Sequence, residues 1–84
     1  MLFELVERVA KKKGMKVEKL PNGVVIVVKE NYAYVQIAAV RDVYYIRYLT
    51  KDEAYITRKL SERLVEKILD GQLGEGDAIK ISNA

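Results

Sequence analysis

The side chains with the reach and charge to do chemistry fall into two groups. Lys11, Lys12, Lys13, Lys16 and Lys19 crowd into one short stretch. With Arg41 and Arg47 they would neutralise phosphates, which makes association with DNA or RNA steeply dependent on salt. The same lysines also follow Glu4 and Glu7 along an apolar-periodic segment. Acid first and base last is the order that complements a helix macrodipole, so the cluster also has an explanation internal to the fold. The second group is Tyr32, Tyr34, Gln36, Val43, Tyr45 and Arg47, spaced so that strand alternation would gather them on one surface with Lys29. Aromatic rings beside cations can stack exposed bases. They can equally anchor a polypeptide.

Catalysis has little to work with. The chain contains no cysteine and no histidine. That removes the thiolate nucleophile, the imidazole base and the usual zinc ligands. The order helix, three antiparallel strands, helix, strand invites comparison, by topology alone, with the core of restriction-endonuclease-like nucleases, which hold metal through acids on the inner strands. Here Val24 to Val28 carries no carboxylate, Gln36 stands where an acid would be required, and Glu30 and Asp42 fall in loops at opposite ends. A catalytic metal needs converging oxygen ligands that this pattern does not supply. Gly74-Glu75-Gly76-Asp77 matches neither a phosphate loop nor a calcium loop and reads as a turn. The expectation is a non-enzyme with no catalytic residue, no metal, no cofactor and no small-molecule substrate.

The elements that must position these residues centre on Val24 to Leu49. Treating Glu30-Asn31 and Arg41-Asp42 as two-residue hairpin loops yields a three-stranded antiparallel meander. One face then gathers Val24, Ile26, Val28, Ala33, Val35, Ile37, Ala39, Tyr44, Ile46 and Tyr48. The opposite face gathers Val25, Val27, Lys29, Tyr32, Tyr34, Gln36, Ala38, Val40, Val43, Tyr45, Arg47 and Leu49. The valines make this second face too apolar to lie in water, and its natural cover is the same face of a second subunit.

Upstream, Leu2, Leu5, Val6, Val9 and Ala10 recur at helical spacing, and Gly14 marks the stop. Val17 to Leu20 reads as a short edge strand joined through Pro21-Asn22-Gly23. Downstream, Thr50-x-x-Glu53 has the form of a capping box, predicting a helix from about Lys51 to Asp70 closed by Gly71. Ala78 to Ile81 reads as a last short strand.

Eighty-four residues imply one compact domain over 1–84, without repeats or a long linker. The net charge of +3 permits attraction to nucleic acid without compelling it. The opening segment resembles neither a secretory signal nor a membrane span, so a cytoplasmic protein is the expectation. Abundant Val, Ile, Tyr, Lys and Glu would suit a thermophile. The reading is an α+β domain with a helix, an antiparallel meander of three to four strands, a second helix and a short final strand, both helices on one sheet face. Its expected role is a dimeric nucleic-acid-binding module. The alternative is a protein-interaction or assembly module that uses the tyrosine-bearing face, with no nucleic-acid role.

Overall fold

The apolar spacing of the first eleven helical residues and the alternation of the central strands set the frame of the protein, seen here in a computed structural model that describes residues 1–82. The chain runs α1 (Leu2–Lys12), β1 (Lys16–Lys19), β2 (Val25–Lys29), β3 (Tyr32–Val40), β4 (Val43–Tyr48), β5 (Ala54–Thr57), α2 (Glu62–Leu69) and β6 (Ile79–Ser82). All six strands form one antiparallel sheet in sequence order. The α+β class is as expected, with six strands rather than three to four.

Both helices end on a glycine, as predicted. Gly14 and Gly71 take φ of +72° and +70°. In each case the glycine N–H reaches back three residues and the following N–H reaches back five, which satisfies carbonyls left free at a helix end. Val6, Val9 and Ala10 of α1 and Val65, Ile68 and Leu69 of α2 are buried in one core with Val25, Val27, Val35, Ile37, Ile46, Tyr48 and Tyr55 of the sheet. The buried Tyr48 hydroxyl donates to the Ile68 carbonyl at 2.6 Å, fastening α2 to the end of β4.

The predicted helix over 51–70 is corrected by the structure. Its first half is strand β5, whose residues Ala54, Tyr55, Ile56 and Thr57 pair with Arg47, Ile46, Tyr45 and Tyr44. Ile56, Leu60, Leu64 and Ile68 do recur at helical spacing, but β4 offers an open edge, and the aromatic and β-branched residues of β5 favour pairing there. The Glu53 carboxylate therefore caps no helix. It accepts from the Tyr55 hydroxyl at 3.0 Å and lies 3.4 Å from the Lys51 ammonium, and the two hold its pKa below the usual carboxylate range. The helix begins instead at Ser61, whose Oγ accepts from the Leu64 N–H at 3.1 Å.

The face assignment is corrected as well. Both hairpin loops are as expected, with positive φ at their first residues, Glu30 (59°) and Arg41 (57°). In the second hairpin the expected pairs Ala39–Tyr44, Ile37–Ile46 and Val35–Tyr48 all form. In the first, Lys29 pairs with Tyr32 and Val28 with Ala33, but the next pair is Val27–Val35, so Tyr34 is left without a partner in a β-bulge. One extra residue reverses the alternation beyond it. Val25 and Val27 join the core, Lys29, Tyr32 and Tyr34 turn to the helix side, and Ile26, Val28 and Ala33 go to the opposite face. The Tyr34 ring packs edge-on against Tyr48, centroids 5.6 Å apart. Its hydroxyl lies so close to Gly71 that a Cβ there would stand 3.0 Å from it. Glycine at 71 thus serves both the helix stop and this close approach.

Candidate interaction surfaces

The helices cover only one side of the sheet. On the other side, alternation and register place Ile26 and Val28 of β2, Ala33, Gln36, Ala38 and Val40 of β3, Val43, Tyr45 and Arg47 of β4, and Ile56 of β5. Ile79 of β6 pairs with Ile56 and is 67% exposed. None of these side chains belongs to the core. They form a contiguous, mainly aliphatic surface with one tyrosine, one amide and one guanidinium, and no helix lies over it among the described residues.

Four of the residues predicted for a partner surface are therefore brought together here: Gln36, Val43, Tyr45 and Arg47. Tyr45 stands between Ala38 and Ile56, and Gln36 is the cross-strand neighbour of Arg47. Tyr32 and Tyr34 are not part of this face. Tyr32 is 40% exposed at the end of β3, and Tyr34 is half-buried against the core with the Lys29 ammonium 5.1 Å from its ring centre. Burial pushes the Tyr34 hydroxyl pKa upward, as the adjacent charge of Asp70 does to a lesser degree. Ile26, Val28, Ala33, Ile56 and Ile79 are the members of the face that the alternation pattern missed. Val25 to Val28 is an unbroken apolar run, so the pattern fits either parity, and Ile56 fits a helical stripe as well as a strand.

The lysine cluster is divided by the fold. Lys12 Nζ bonds Glu62 at 3.0 Å and Lys13 Nζ lies 2.9 Å from Asp70, so the last turn of α1 is tied to both ends of α2. The Lys12 ammonium in turn lowers the Glu62 pKa. Lys19 sits 6.0 Å from the Phe3 ring centre. Lys11 and Lys16 are exposed, make no ion pair among the described residues, and line one shallow cleft of about 320 Å³ with Glu7, Met15 and Val17. Arg41 occupies the tip of the β3–β4 hairpin, at the opposite end of β3 from the Glu30-Asn31 loop. The seven predicted cations thus do not converge on one site.

Among the described residues no group of three or more carboxylates is placed to hold a metal ion. Asp77 of the glycine-flanked segment accepts from the Gly74 N–H at 2.9 Å and from Lys67 Nζ at 3.1 and 3.2 Å, and these bonds lower its pKa. It closes a turn that joins α2 to β6. No described helix is long and apolar enough to cross a membrane. No protein-family model, no curated protein and no solved structure matches the chain.

Proposed function

We propose that this protein is a non-catalytic assembly module that docks a polypeptide on the helix-free face of its sheet. The observation that carries this reading is the composition of that face: isoleucines, valines and alanines across β2 to β6, with Arg47 as the one charge near its middle and Lys16 and Glu18 at its β1 edge. A contiguous apolar surface running across several strands is a mark of protein contact, because proteins that work alone keep such patches small. Nucleic acid is the poorer occupant, because phosphates need cations where this face presents methyl groups.

The test is a polarity-sensitive dye that fluoresces on apolar surfaces, added to the protein at sub-micromolar concentration. Wild type should enhance its fluorescence, and Tyr45→Glu with Ile56→Glu should remove most of the enhancement while circular dichroism stays native. No enhancement by the dilute wild type would overturn the docking face.

A second reading, nucleic-acid binding, is favoured by Lys11 and Lys16, which line one cleft and make no ion pair among the described residues. Replacing both by Gln should then reduce the slope of log affinity against log salt by about 2 on a duplex and somewhat less on a single strand. Undetectable binding at low salt would remove this reading.

A further inference from the structure

We infer that the occupant of the open face is a second copy of this chain, related by a two-fold axis that runs parallel to the strands between β2 and β3. The inference rests on the docking reading above and specifies its partner. One row of outward side chains crosses the face at a single level: Glu18 pairs with Ile26, Ile26 with Gln36, and Gln36 with Arg47. Over β1 to β4 the row is acidic at one edge, basic at the other and uncharged between, and it continues without charge onto Ala54 of β5. Rotation about the stated axis lays it against its own reverse. Glu18 then meets Arg47 of the other copy, Ile26 meets Gln36, and both contacts occur twice.

Within one chain the two charges stand three strand spacings apart, about 14 Å, too far to pair directly. Both are exposed, and neither has an ion-pair partner among the described residues. Within this row the two charges are opposite and symmetrically placed about the line between β2 and β3, so the row is complementary to itself; Lys16, which pairs with Val28 on the same face, stands outside the row at the β1 edge. The row is not complementary to a uniformly charged partner. The size is that of a small, weak interface: four strands of about 20 Å at about 4.8 Å spacing offer roughly 400 Å² per copy, or roughly 800 Å² in total. Placing the axis one strand over, between β3 and β4, would instead bring the two Arg47 guanidinium groups side by side, with no carboxylate between them.

Charge exchange tests the arrangement. At about 100 μM, where micromolar association is visible, wild type should sediment as a dimer. Glu18→Arg alone and Arg47→Glu alone each create two like-charge contacts and should weaken association at least tenfold. The double variant Glu18→Arg with Arg47→Glu should recover wild-type association to within about threefold, and no contact inside one chain can produce that rescue. Circular dichroism on each variant establishes that it is folded.

Single variants that dimerise as well as wild type, or a folded double variant that stays monomeric, would overturn the inference. A wild type that is monomeric at this concentration would also overturn it. In that case dye binding by the dilute protein leaves the docking face standing with a different polypeptide as its occupant. Absence of dye binding removes both.

Discussion

The two hairpins of this sheet have loops of the same length and the same positive-φ first residue, yet they distribute their side chains by different rules. In β3–β4, strict alternation runs from the loop to the far end, and Ile37, Ile46, Val35 and Tyr48 reach the core in the expected pairs. In β2–β3, alternation holds for two pairs and then reverses at Tyr34. The difference lies in what each side chain gains. The bulge lets the Tyr34 ring pack edge-on against Tyr48 beneath the Gly71 turn, a contact the outward row does not offer. A short antiparallel pair can give up one ladder position when a bulky aromatic is buried in return.

The largest test of this contrast is deletion. Removing Ala39 forces β4 to change parity against β3, which would turn Ile46 and Tyr48 out of the core. The loss should exceed the ~5–15 kcal/mol stability of a small domain, so no cooperative thermal transition should remain. Removing Tyr34 abolishes the bulge but keeps every other residue on its present face. That variant should fold and melt cooperatively, losing about 2–4 kcal/mol for the missing ring. If the two deletions behave alike, the bulge does not have the role described.

Next in size are substitutions on the two sides of the sheet. Ile46→Ala empties a fully buried site and should cost about 2–5 kcal/mol in urea unfolding, whereas Ile56→Ala on the open face of the monomer should cost less than about 1 kcal/mol. The neighbouring valines of β2 sharpen the comparison further. Val27→Thr buries a hydroxyl among aliphatic groups and should cost about 1–3 kcal/mol, while Val28→Thr should stay within about 0.5 kcal/mol. Unbroken alternation predicts the reverse order.

The smallest effect concerns the tyrosines that the bulge brings together. Burial pushes the Tyr48 hydroxyl pKa well above the ordinary tyrosine value near 10, and Tyr34 and Tyr55 are raised as well. A group whose pKa is raised on folding contributes stability below its unfolded pKa and loses it as pH rises. The melting temperature should therefore be level up to about pH 9 and fall above about pH 10 as the unfolded phenols ionise. Tyr48→Phe should make that fall shallower, and at neutral pH should cost about 1 kcal/mol for the lost bond to the Ile68 carbonyl.

Much of the molecule is legible in its sequence. Leu2, Leu5, Val6 and Val9 specify α1 by spacing alone, because an apolar stripe has one way to meet a core. Gly14 and Gly71 mark helix ends because positive φ is strained for other residues. The loops Glu30-Asn31 and Arg41-Asp42 sit at the breaks between apolar runs, and the absence of Cys and His follows from composition. These are local properties, decided within a few residues of chain.

Tertiary structure decided what local pattern left degenerate. Val25 to Val28 is apolar at every position, so only the Tyr34–Tyr48–Gly71 packing selects which of them face inward. Ala54 to Thr57 fits a helical stripe or a strand, and the unpaired edge of β4 chooses the strand. Lys12 and Lys13 look like free cations until α2 brings Glu62 and Asp70 against them. The row from Glu18 to Arg47 has no counterpart in sequence spacing, because its members lie on four different strands and share a level only once the ladder has formed. Choices between states of similar local energy are settled by contacts between distant parts of the chain, and those contacts also set which side of the sheet the helices leave open.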